Sequence, residues 1–127
     1  MMSRLPETKN LILNFQDGWL TIWFNRTDNR NALSVELVNE LRDTLKSVRD
    51  NRTVRGITFR GKGGVFCAGA DLKGLKSLID TDAQKEEIAN FSKVIGHFFE
   101  LVNTMPQVTI MVIEGAAIAG GFGLACT

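Results

Sequence analysis

The pattern of apolar and polar positions divides the chain into strand-like and helix-like stretches. Leu11–Phe15 and Trp19–Phe24 are strand-like runs joined by Gln16-Asp17-Gly18, and the Asp-Gly step marks a hairpin turn. After the loop TDNRNALS, Leu37, Val38, Leu41, Leu45 and Val48 recur at helical spacing. This predicts an amphipathic helix over Ser34–Asp50, with Ser34 as N-cap and Glu36 favourably placed in the first turn. VRGITFRG reads as a short strand with Ile57 and Phe59 on one face. The loop GKGGVFCAGAD follows it, and a short helix is expected to begin near Leu72. Thr81 or Asp82 is placed to cap a longer helix whose buried stripe is Ile88, Phe91, Ile95, Phe98 and Val102. Pro106 ends that helix. VTIMVI then reads as a buried strand, continuously apolar as parallel strands tend to be. The order β-β-α-β-α-β, closed by an incipient helix, predicts an α/β or mixed α+β fold with a mostly parallel sheet.

Composition narrows the class. The 127 residues amount to one domain or a piece of a larger one, and 44% hydrophobic with 23% charged residues is an ordinary globular balance. A net charge of +1 offers no global pull toward nucleic acid or an anionic membrane, so an anionic ligand must be met locally. Cys67 and Cys126 lack disulfide-framework or zinc-ligand spacing, and His97 is the single histidine, so no metal site is expected. No stretch has the length of a membrane span, and MMSRLPETKN lacks an apolar signal core. The expectation is a cytoplasmic protein with reduced thiols and no separate cofactor.

Two segments share one design: a strand, then Gly/Ala-rich backbone, then a helix start. They are ITFRGKGGVFCAGADLK and TIMVIEGAAIAGGFGLA. Small residues let a ligand lie against the main chain, and a helix start presents unpaired N–H groups. Neither segment matches a nucleotide P-loop, and AGGFGLA echoes a dinucleotide fingerprint only loosely. Tight strand-to-helix packing is one explanation for such glycines. The other is a pair of converging N–H donors aimed at one oxygen, the construction of an oxyanion hole.

NRTDNRNALS, FCAGADLK and IEGAAIAGGFGLA, in this order and spacing, resemble the enoyl-CoA hydratase/isomerase (crotonase) superfamily from about Leu11 onward. The likeness implies a spiral of ββα units, acyl-CoA thioester substrates with coenzyme A as part of the substrate, and assembly into trimers or hexamers. Family chains are about twice as long, so residues 1–127 are expected to be the N-terminal part of a single acyl-CoA-binding domain whose C-terminal half is missing. The loop texture is also similar to glutaconyl-CoA hydratases of branched-chain and terpenoid acid breakdown.

By motif position, the resemblance assigns the two oxyanion-hole N–H groups to Ala70 and Gly120. Arg26, Arg30, Asn31 and Ala32 match the loop that receives the CoA nucleotide. Ala68, Asp71, Leu72 and Lys73 match the segment along the pantetheine and adenine. Each also has a plainer explanation: loop arginines are ordinarily solvated, and Asp71 suits the N-cap of the next helix. Cys67 with His97 as a nucleophile and base is disfavoured, because His97 sits within a helix and nothing in the sequence brings it near Cys67.

The chain departs from the hydratase pattern at one place. The first water-activating glutamate falls on Gly123, which has no side chain to act as acid or base. The activity the resemblance implies is still that of an enoyl-CoA hydratase in a full-length chain. A double-bond isomerase, which needs one carboxylate, is the alternative. A CoA-ester-binding or interaction fragment without turnover is the reading from another class.

Overall fold

The computed structural model describes residues 5–69, 82–118 and 120–127. The predicted helix near Leu72 and the assigned residues Ala70, Asp71, Leu72 and Lys73 lie outside them.

Strands β1 (Leu11–Gln16) and β2 (Trp19–Phe24) form the expected antiparallel hairpin. Asp17 and Gly18 both have positive φ, 54° and 82°, as a tight two-residue hairpin turn requires. Helix α1 (Val35–Val48) follows, and Ser34 caps it by accepting from the Leu37 N–H at 3.1 Å. Strand β3 (Gly56–Gly61) returns parallel to β2, and β5 (Val108–Met111) lies parallel to β3, giving the order β1-β2-β3-β5. Helix α2 (Asp82–Asn103) packs beside α1 on one face of this sheet.

Register decides what that face carries. Leu20, Ile22 and Phe24 of β2 alternate inward and meet Ile57 and Phe59 of β3. Leu37, Val38, Leu41, Leu45 and Val48 of α1 and Phe98 and Val102 of α2 close over them, all essentially inaccessible to solvent. Fully burying each such side chain is worth ~1.5–3 kcal/mol, which is why α1 holds its form. Gln107, at the entry to β5, donates from Nε2 to the Val48 and Arg49 carbonyls at 2.7 and 3.2 Å. It thereby ties β5 to the end of α1, where the carbonyls have no helical partner.

The outward face is different. Trp19 bonds across to Thr58, and Trp23 lies under both the Arg60 guanidinium, at 4.4 Å, and the Lys62 ammonium, at 3.9 Å. Val108 and Ile110 are 60% and 43% exposed on this face. The expected burial of VTIMVI on both sides is thus corrected. β5 is the sheet's edge, and no described element covers its outer face, so its side chains alternate in exposure.

A second sheet of two short strands was not legible as such. β4 (Val65–Cys67) and β6 (Ala116–Ala117) pair in parallel, and α3 (Gly120–Ala125) begins just beyond β6. Strands of two or three residues among glycines carry too little periodicity to separate from loop.

Candidate functional site

The parallel pairing of β4 with β6 brings the two glycine loops to one place. Both chains leave the small sheet in the same direction. Gly120, the third residue after Ala117, opens α3, while Ala70, the third after Cys67, lies outside the described residues. Ile118 donates its N–H to the Cys67 carbonyl at 3.0 Å, extending the ladder to the threshold of α3.

Two glycines make this approach possible. A Cβ on Gly121 would stand 2.2 Å from the Cys67 carbonyl oxygen, so the first turn of α3 rests directly on the β4 backbone. A Cβ on Gly115, whose φ is +77°, would stand 1.7 Å from the Gly64 oxygen. No side chain fits between these strands. The residues that packing demands are therefore the same ones that clear room beside the main chain. Gly120 itself stands at the helix start, where its N–H has no helical acceptor.

The third sequence segment joins the same cluster. Ala68 donates its N–H to the Arg30 carbonyl at 3.1 Å, and the Gly69 carbonyl accepts from Leu33 N–H at 2.6 Å. Residues 30–33 and 68–69 therefore run alongside one another, immediately beyond β4. Of the assigned nucleotide-loop residues, Arg30 is exposed and has no side-chain partner among the described residues. Ala32 is buried. Asn31 is fully buried, and its side chain is used internally: Oδ1 accepts from Arg26 N–H at 2.8 Å. Its Nδ2 donates to the Lys62 and Val65 carbonyls at 3.0 and 2.9 Å. Arg26 is occupied as well, with Nη1 donating to Asn10 Oδ1 at 2.9 Å and Nε to Asp28 at 3.2 Å. That contact holds the Asp28 carboxyl below its ordinary pKa.

Gly123 points elsewhere. A Cβ there would come within 3.1 Å of the Phe99 ring edge on α2, so the direction a side chain would take is already lined by an aromatic. Cys67 is fully buried, and burial pushes its thiol pKa up. His97 is exposed in a cleft with Arg42, Lys46, Arg49 and Glu100. A raised thiol pKa is the opposite of what a nucleophile needs. Among the described residues no group of three or more His, Cys, Asp and Glu could hold a metal ion, and no helix is long and apolar enough to cross a membrane.

The sequence pattern of the enoyl-CoA hydratase/isomerase family matches residues 14–127. The chain belongs to this family. Human enoyl-CoA hydratase domain-containing protein 2, mitochondrial, is 38% identical over 109 residues, covering 85% of this chain and 36% of that protein. Mouse methylglutaconyl-CoA hydratase, mitochondrial, is 32% identical over 109 residues, covering 85% of this chain and 33% of that one. Among solved structures, Pseudomonas aeruginosa AtuE superposes with a TM-score of 0.85 at 38% identity, over 93% of this chain and 45% of its own. The fold is crotonase-like. The chain spans between a third and a half of the length of these relatives.

Proposed function

We propose that residues 1–127 are the N-terminal, carbonyl-polarising part of an acyl-CoA-binding domain, and that the complete protein hydrates an enoyl-CoA thioester. The parallel β4–β6 pairing carries this reading, because it sets the end of β4, at Cys67, beside the first turn of α3 at Gly121, next to the assigned Gly120. Addition to, or deprotonation of, an unsaturated thioester places negative charge on the carbonyl oxygen. The Ala70 and Gly120 N–H groups would receive that oxygen, and losing one such donor typically costs ~10²–10³ in rate. Coenzyme A enters as part of the substrate. Arg30, without a side-chain partner among the described residues, is the cation offered to its phosphates, while Arg26 and Asn31 hold the loop that carries it. Ala68, Asp71, Leu72 and Lys73 lie along the pantetheine and adenine in this scheme.

No carboxylate stands at position 123, so the acid/base group comes from outside these residues. An isomerase, which needs one carboxylate, is the second reading within the family, and likeness to a methylglutaconyl-CoA hydratase favours a branched unsaturated acyl group. Ile118 and Phe122 are 51% and 61% exposed at the mouth of the site, which supports cover from further chain or from partner subunits of a homotrimer or hexamer. We place the protein in the cytoplasm.

The test is calorimetric titration with crotonyl-CoA beside a hydration assay on the same sample. The 127-residue chain is expected to bind the thioester without hydrating it. Hydration by this chain would show that the missing carboxylate is not required, and no binding would remove the acyl-CoA reading. Binding by a chain in which the loop residues diverge would support the non-catalytic fragment instead.

A further inference from the structure

Resting on that acyl-CoA reading, we propose that Asn10 and Glu40, which no sequence motif singles out, are positioning residues for recognition of the CoA 3′-phosphate, acting through Arg26 on the loop that presents Arg30.

The starting observation is strain. Arg30 and Asn31 are consecutive non-glycine residues with φ of 58° and 57°. Left-handed backbone is disfavoured for a residue such as arginine, and it persists only where the surroundings over-determine it. The loop has that restraint. The Arg26 carbonyl accepts from both Asn29 and Asn31 N–H groups, at 3.2 and 2.8 Å, closing residues 26–31 upon themselves. The far end of the loop is pinned by the Ala68 N–H on the Arg30 carbonyl and by the Asn31 amide on the Lys62 and Val65 carbonyls, and its near end is set by Arg26.

Arg26 is held from outside the loop by Asn10. Asn10 is 5% exposed, at the entry to β1, and its carbonyl accepts from Asn25 N–H at 2.8 Å. Its amide lies between opposite charges. Nδ2 donates to Glu40 Oε2 at 2.6 Å, and Oδ1 accepts from Arg26 Nη1 at 2.9 Å. Donor end to carboxylate and acceptor end to guanidinium is the one orientation that satisfies both, and the reverse would repel twice. Glu40, on α1, is fixed in turn by the Asn10 N–H at 3.1 Å and by the Lys9 N–H. On its far side, the Arg26 guanidinium grips Asp28 within the loop. Helix α1, the hairpin and the loop are thus locked through one buried amide.

The consequence is functional. Arg26 and Asn31 have their hydrogen-bonding groups turned inward, and Arg30 is left exposed on a backbone that cannot relax. A fixed backbone presents that cation to a phosphate with little further ordering cost. Without Asn10, the Arg26 guanidinium loses its buried partner on the hairpin, and the restraint on the left-handed pair weakens at the loop's near end. Arg30 would then be presented from a relaxed, fluctuating loop.

The experiment compares binding of crotonyl-CoA with binding of its 3′-dephospho analogue, by calorimetry. The intact chain is expected to prefer the phosphorylated ligand about tenfold. Asn10→Ala and Glu40→Ala should reduce that preference to about threefold or less while leaving affinity for the dephospho ligand nearly unchanged. Equal weakening toward both ligands, or an unaltered preference in a cooperatively folded Asn10→Ala protein, overturns the proposal. If Asn10→Ala does not fold, Glu40→Gln, which keeps an acceptor for the Lys9 and Asn10 N–H groups but places an amide against Nδ2, carries the same comparison. Intact chain that binds both ligands equally overturns this inference and leaves the acyl-CoA reading standing. Intact chain that binds neither overturns both.

Discussion

Replacing Gly121 by alanine tests whether α3 rests on β4. The added Cβ would lie 2.2 Å from the Cys67 carbonyl oxygen and 2.8 Å from its carbonyl carbon and Cβ. The first two are backbone atoms of a paired strand and the Cβ is fixed to it, so no flexible side-chain end can move aside. The helix must lift, breaking the Ile118–Cys67 hydrogen bond of 3.0 Å. Overpacking of this kind costs about 1–3 kcal/mol, and the lost bond about 1 kcal/mol more. Gly96 supplies the control, because in α2 its added Cβ meets nothing within 4 Å. Helix propensity there favours alanine by about 0.5–1 kcal/mol. Urea unfolding is expected to show Gly121→Ala destabilised by about 2–4 kcal/mol and Gly96→Ala stabilised. If Gly121→Ala is as stable as the parent, the two glycine loops do not converge as described.

Three further outcomes follow from the same contacts. Asn31→Ala orphans the Arg26 N–H and the Lys62 and Val65 carbonyls, and should cost about 2–5 kcal/mol in denaturant unfolding. Cys67 and Cys126 should differ in alkylation: Cys126, exposed, reacts in the native protein, and Cys67 reacts only on unfolding, as mass spectrometry of peptides would show. Burial raises the folded Cys67 thiol above its ordinary value of 9.0, so its contribution is intact below that pH and is lost as pH rises beyond it. The fall in stability above about pH 9 should accordingly be shallower in Cys67→Ala than in the parent.

Much of the frame was legible because periodicity there reports burial directly. The hairpin, the capped α1 and the paired inward residues of β2 and β3 follow from it. β5 shows its limit. An apolar run signals a strand that something covers, and the cover for Val108 and Ile110 is not among the described residues. In the site, the glycine-rich segments pointed to close backbone approach, but not to the two-stranded sheet that produces it. Asn31 matched a ligand loop by position, yet its side chain is spent on three backbone groups. Asn10 and Glu40 gave no signal at all, since a buried amide between two charges is a product of tertiary contact and has no local pattern.

Whether the proposed Ala70 and Gly120 N–H pair polarises a thioester carbonyl is tested most directly by infrared difference spectroscopy of bound crotonyl-CoA, ¹³C-labelled at that carbonyl. The carbonyl stretch is expected at lower frequency than in free solution. A bound carbonyl vibrating at its solution frequency would contradict it.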